Sequence, residues 1–266
     1  MLAATRRQFL DEYSAVRAAE GRGADDAAWY FELPYRDLSG RLSGQWRIRA
    51  RSWRCLEQRV LPEFARKIGP ALRILDLGAG TCWMSWRLAN LGHSPIALDI
   101  LTDPRDGLRA SRHYTARTPF PVLEAEFDNI PLAAASADLA IFNASFHYSA
   151  DYQRTLTEVR RVLRPEGAVV IMDTPVYKLP QHGRRMVEER KRLYQNRFGF
   201  PSDAQQSLEF LDEATLDSLG RQFGLRWSIY KPWYGWRWYG RPLKAWVQHS
   251  RPPSRFWVLV GEANRA

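Results

Sequence analysis

The 266-residue sequence predicts an α/β fold built on an open, twisted sheet with helices on both faces. Three observations carry that prediction. Between Arg73 and Asp173, short β-branched runs alternate with helical stretches five times over. The first of those runs breaks into Gly78-Ala79-Gly80. Hydrophobic residues at 45% and charged residues at 26% are those of an ordered globular chain, long enough to bury a sizeable core.

The elements follow in order. Residues 1–70 read as a helical N-terminal region, interrupted by "EGRGADD" at Glu20 to Asp26 and carrying the aromatic stretch Trp29 to Tyr35. Strands are predicted at about Leu72 to Leu77, Pro95 to Asp99, Val122 to Glu126, Leu139 to Asn143 and Ala168 to Asp173. Leu156, Val159 and Leu163 recur at helical spacing, and Pro165 and Gly167 are expected to end that helix. Residues 71–266 thus form the core, with a helical insertion at about 178–222 and two late strands, in "LRWSIYKPW" and "RFWVLVGE". Between these lies an aromatic-rich loop, about 231–254, unusually long for a hairpin connection. In it Trp233, Trp236, Trp238 and Trp246 interleave with Arg237, Arg241 and Lys244. Such interleaving suits sugar rings, planar aromatics, bases or a membrane interface, and equally a packed loop or a dimer contact.

Composition narrows the function classes. A formal charge of +10 and pI of about 9.9 allow nucleic acid, an anionic surface or an acidic substrate as partner. Yet five lysines stand against 34 arginines, a skew that base composition alone produces, and the cations form no dense run. No stretch has the length and apolarity of a signal peptide or membrane span, so a cytoplasmic protein is expected. Cys55 and Cys82 are too few for a disulfide framework or a zinc site and are expected as free thiols; no metal is expected.

The glycine run is the chemical signal. A strand ending at Leu77 delivers Gly78, Ala79 and Gly80 to the carboxyl edge of the sheet, where ligands of open α/β sheets bind. Absent Cβ atoms let the backbone approach such a ligand closely. A dinucleotide fingerprint would need a third glycine at position 83, which is tryptophan, and no Gly-Lys-Ser sequence supports a phosphate loop. Asp76 places a carboxylate beside the turn, suited to a cationic ligand rather than a pyrophosphate.

With "LDLGAG" at Leu75 to Gly80, "PIALDI" at Pro95 to Ile100, "LEAEFDNIPLAAASADLAIFNASFHYS" at Leu123 to Ser149 and "LRPEGAVVIMD" at Leu163 to Asp173, the chain resembles the class I S-adenosylmethionine-dependent methyltransferases. The resemblance spans about Arg73 to Asp173. It implies an open, doubly wound, seven-stranded sheet, mostly parallel with an antiparallel last strand, and S-adenosyl-L-methionine as cofactor. It assigns the cofactor to Asp76, Gly78, Ala79, Gly80, Asp99, Ile100, Glu126, Phe127, Asp128 and Asn143. Asp99 would accept from both ribose hydroxyls. Glu126 would meet the adenine amino group with Asp128 as its rival, and Asn143 would hold the amino-acid moiety. His147 is the candidate general base, competing with Tyr148 for the same space. Tyr30, Tyr35, Arg41, Tyr148 and Trp236 are candidate substrate residues, with residues 1–70 closing over the cofactor as a lid. The expected activity is methyl transfer to a small or medium acceptor. Three other readings stay open: a nucleic-acid methyltransferase, a non-catalytic cofactor-binding or membrane-associated scaffold, and a nicotinamide oxidoreductase.

Overall fold

The computed structural model of the protein describes residues 3–204 and 206–264. Helices α1 (Ala3–Ala19), α2 (Ala27–Glu32), α3 (Ser43–Cys55) and α4 (Leu61–Ile68) precede the sheet, and a π-helical turn, Leu56–Val60, joins the last two. Asp26 caps α2 by accepting from the amide of Ala28, and Gly69 ends α4 at φ 145°.

From there the chain alternates: β1 (Arg73–Leu77), α5 (Trp83–Asn90), β2 (Ser94–Asp99), α6 (Arg112–Thr115), β3 (Val122–Glu124), β4 (Ala137–Asn143), α7 (Tyr152–Val162) and β5 (Leu163–Met172). A short pair, β6 (Val176–Tyr177) and β7 (Leu211–Asp212), brackets α8 (Pro180–Phe198). Then come α9 (Glu213–Phe223), β8 (Leu225–Tyr230), α10 (Trp236–Tyr239), α11 (Arg241–Val247) and β9 (Val258–Ala263). The seven-stranded sheet has the order β3-β2-β1-β4-β5-β9-β8. The chain first winds outward from β1 through β2 to β3, then returns to β4 on the other side of β1. The β1/β4 boundary is therefore the switch point, and the crevice of such sheets opens there.

Both sheet faces are covered, which is why the central strands are largely apolar, the buried carboxylates Asp76 and Asp138 excepted. One face packs Ile74, Leu139, Ile141 and Val170 against Trp53, Phe64, Met84 and Leu88 of α3, α4 and α5. The other packs Leu75, Leu77, Phe142 and Val169 against Leu156 and Val159 of α7 and Leu216 and Leu219 of α9. Cys55 and Cys82 are buried free thiols.

Three details differ from the sequence reading. Helix α7 ends at Val162, and β5 begins before Pro165; the pairing jumps from Ala137↔Leu163 to Leu139↔Ala168. Buried Asp138 sits at the jump, accepting from the Arg73 amide at 2.7 Å and from Arg164 Nη1 at 2.9 Å. A Cβ on Gly167 would lie 2.8 Å from the Asp138 carbonyl oxygen, so this glycine serves the bulge rather than a helix terminus. Secondly, β3 stops at Glu124, and Glu126 instead bridges Asn129 in a tight turn. Thirdly, the aromatic-rich stretch expected as a loop contains α10 and α11.

Candidate functional site

At the carboxyl ends of β1, β2 and β4 lies a cavity of about 580 Å³. Its floor is the turn after β1. Gly78 and Ala79 donate their amides to Leu98 O at 2.8 and 3.0 Å, and the Gly80 amide donates to Asp99 Oδ2 at 2.8 Å. Asp99 Oδ1 accepts from the Leu101 amide at 2.9 Å. The carboxylate is thereby locked in one orientation, with one lone-pair site left on each oxygen for a pair of donors. Gly78 and Gly80 hold positive φ (75° and 52°), and a Cβ on Gly80 would point into space, with only Asp106 O at 3.9 Å.

Among the described residues, two buried oxygens facing this cavity have no partner: Asp76 Oδ1 and Asn143 Oδ1. The other Asp76 oxygen accepts from Ser85 Oγ at 2.7 Å. Burial, with the nearby Asp99 carboxylate adding to it, pushes the Asp76 pKa up to about 7; burial also raises that of Asp99. Isolated carboxylates in such a place await a cation or strong donors. On the β3 side, Phe127 stands edge-on to Phe142 at 5.3 Å as a flat apolar wall. Glu126 and Asp128 flank it; Asp128 pairs with Arg154 at 3.0 Å, and Glu126 lies 3.9 Å from Arg6. All ten predicted cofactor residues line the cavity.

The predicted substrate residues are not gathered there. Tyr148 lines the cavity, but Tyr30, Tyr35, Arg41 and Trp236 do not. Tyr30 is fully buried, its hydroxyl on the carbonyls of Ala24 and Arg105 and its ring stacked on His113, so its work is to fasten α2 to the β2–β3 connection. Tyr35 accepts from Trp53 Nε1 at 3.0 Å, and Trp236 is 82% exposed. His147 is also off the lining: Nδ1 lies 3.4 Å from Thr174 Oγ1, and the ring tilts against Tyr148. Burial, then Arg49 and Arg190, hold its pKa down to about 3.

Cavity residues missed by sequence reasoning include Asp106, Ser145 and Thr155 and, from the N-terminal helices, a whole row of side chains. Thr5, Phe9, Tyr13 and Arg17, four apart on one row of α1, lie over the cavity. Arg17 makes a two-pronged pair with Asp106, Nη2 to Oδ1 at 2.7 Å, and Tyr13 meets Tyr148 edge-on at 5.5 Å. From α3 come Trp46, whose buried Nε1 has no acceptor, and Arg49, stacked on Trp46 at 4.7 Å. Burial, with Arg22 and Arg17 nearby, lowers the Arg49 pKa to about 10; among the described residues no carboxylate forms an ion pair with it. The sequence reading expected residues 1–70 to close over the cofactor, but not that this row of α1 would be the part that does so.

A sheet of this order, with a glycine turn at its switch point and a locked carboxylate at the end of the second strand, defines an α/β domain that binds a nucleoside cofactor. Residues 75–171 match the family described as methyltransferase domain. An uncharacterised methyltransferase of Mycobacterium tuberculosis (strain ATCC 25618 / H37Rv) is 37% identical over 108 residues, 41% of this chain and 40% of its own length. The malonyl-[acyl-carrier protein] O-methyltransferase of Erwinia pyrifoliae is 34% identical over 131 residues, 49% of this chain and 47% of its own. This chain therefore spans less than half the length of these curated relatives. The solved structure of the PH0226 protein from Pyrococcus horikoshii OT3 shares the fold, with a TM-score of 0.52 at 16% identity, covering 80% of this chain and 91% of that one. The chain carries a class I S-adenosylmethionine-dependent methyltransferase domain.

S-adenosylmethionine is the cofactor of such domains, and the residues present fit it. Its ammonium, sulfonium and ribose hydroxyls are donors or cations, matching the unpartnered oxygens of Asp76 and Asn143 and the open lone pairs of Asp99.

Proposed function

We propose that this chain transfers a methyl group from S-adenosylmethionine to a small or medium acceptor, by in-line displacement at the sulfonium methyl. The observation that carries the reading is the pair of buried, unpartnered oxygens, Asp76 Oδ1 and Asn143 Oδ1, beside the fixed carboxylate of Asp99. When bound, the cofactor supplies an electrophilic methyl and a neutral thioether leaving group. The chain's task is then to bind, orient and keep water out.

Asp99 takes the ribose hydroxyls, Phe127 walls the adenine, and Glu126 or Asp128 takes the adenine amino group. Gly78, Ala79 and Asn143 hold the methionine end. Trp46 Nε1, a buried donor without an acceptor among the described residues, and Arg49, which makes no ion pair there, suit its carboxylate. Helix α1 lies over the cavity as the lid, and Tyr13 and Tyr148 face the acceptor space. With His147 directed at Thr174, we assign the rate enhancement to positioning rather than to proton abstraction.

Calorimetric titration with S-adenosylhomocysteine tests the reading. One-to-one binding is expected, weakened by about 1.5–3 kcal/mol in Asp99→Ala, the range of hydrogen bonds to a charged group. A folded protein that binds none, or a variant with unchanged affinity, would falsify it.

A further inference from the structure

The chain between β8 and β9 folds into two layers. The inner layer is packed and tied to the body. Trp238 contacts Tyr234 and Phe256 at 4.8 and 5.4 Å, with the Arg241 guanidinium over its ring. Arg241 Nη2 donates to Ser254 O at 2.8 Å, and the Tyr234 hydroxyl reaches Ser52 Oγ at 2.9 Å.

The outer layer has no cover among the described residues. Trp236 is 82% exposed, Trp246 76%, Leu243 66% and Val247 61%, with Trp233 and Tyr239 near half. These are not scattered side chains. Leu243, Trp246 and Val247 stand at i, i+3 and i+4 on the outward face of α11, opposite buried Ala245. Trp233 stacks on Tyr239 at 4.6 Å and stands edge-on to Trp236 at 4.8 Å, so the rings form one raised cluster. Two exposed apolar groups on adjacent helices, α10 and α11, mark an interaction site.

Charge selects the occupant. From Lys231 through Arg255 there are six cations and no aspartate or glutamate. Arg251 and Arg255 are paired, with Glu189 and Glu213. Exposed Lys231, Arg237 and Lys244 make no ion pair among the described residues; Arg237 and Lys244 alternate with the apolar side chains along the sequence, and Lys231 Nζ lies over the Trp257 ring at 5.5 Å. A second copy of the chain would set these three cations against their own duplicates, which opposes a symmetric contact. Leu243 and Val247 offer nothing to bases or sugars. Exposed tryptophans interleaved with Lys and Arg that make no ion pair instead match the boundary of an anionic bilayer, where indole rings settle at headgroup depth and cations meet phosphate.

We propose that the α10–α11 face seats this protein peripherally on an anionic phospholipid surface. This is independent of the methyl-transfer reading. Flotation of the full chain with vesicles tests it. Vesicles of phosphatidylcholine with phosphatidylglycerol should carry the protein; phosphatidylcholine alone should carry at least tenfold less, and added salt should release it. The double variant Trp236→Ser/Trp246→Ser and the triple variant Lys231→Gln/Arg237→Gln/Lys244→Gln should each lose at least tenfold. Both touch only exposed side chains, and near-native melting temperatures would show that they fold. Equal binding to neutral vesicles, or binding by the variants equal to that of the unmodified chain, overturns the proposal. So does absence of vesicle binding, with a dimer in light scattering that the tryptophan variant abolishes (a contact between copies) or RNA binding that the triple variant abolishes (a nucleic-acid surface).

Discussion

A methyl group placed on Gly78 would lie 2.3 Å from Ser145 Cβ and 2.9 Å from its Oγ. Ser145 is itself fixed, buried and donating to Leu77 O at 2.5 Å. The first glycine of the turn is thus demanded by the strand next door, whereas Gly80, whose Cβ direction is open, leaves room for the ligand. The sequence reading gave both glycines one reason, close approach to a ligand, because Ser145 lies 67 residues away and only the β1/β4 pairing brings it there. The distinction is testable. Gly78→Ala should be destabilising by about 1–3 kcal/mol, from the left-handed backbone and the clash together. Adding Ser145→Gly should recover part of the lost melting temperature. A second substitution that lowers it further would place the strain elsewhere.

At the scale of elements, patterns confined to one strand or helix were legible, and those completed by a distant neighbour were not. The five core strands and the two late ones were found within a few residues, since β-branched runs and turn residues report on local structure. The β4/β5 register jump depends on Asp138 meeting Arg73 and Arg164, and the π-helical turn before α4 has no periodic signature. Helix α1 is the sharpest case. Among the described side chains it buries one deeply, Val16, and is held largely by its tips: Arg17 on Asp106, Arg6 on Glu124 at 2.9 Å, and Tyr13 on Tyr148. An element fastened by so few contacts opens at low cost. Arg17→Met should strand Asp106 without its partner, speed amide exchange along α1 and weaken S-adenosylhomocysteine binding roughly tenfold, a step of about 1.4 kcal/mol. Fast exchange with unchanged affinity would mean that α1 covers the cavity without serving it.

For the molecule as a whole, the buried acids of the site set a pH dependence. An unfolded Asp76 loses its proton near 3.8, but in the folded protein it keeps it to about 7. Between those values the folded state binds the additional proton, so the free protein loses stability as pH rises from about 4 to 7 and is level above that. A bound cation reverses the preference by favouring the ionised carboxylate. Cofactor affinity should therefore rise about tenfold between pH 6 and pH 8, with proton release, and Asp76→Asn should flatten the curve. Calorimetry in buffers of different ionisation enthalpy measures both; a steep curve in the variant would move the titration to another group.

The late strands carry one more consequence. Tyr230, the last residue of β8, pairs with Val258, the first of β9, so the chain leaves the sheet and re-enters it at a single point. Everything from Lys231 to Trp257 is, in topological terms, a cassette plugged into a hairpin. Closing the hairpin with a short turn changes the loop entropy only modestly and leaves the β5–β9–β8 ladder intact. The proposed lipid-facing segment consequently lies outside the sheet, anchored to the body through the Val176–Arg255 backbone bridge and the Tyr234–Ser52 contact rather than through the strand ladder.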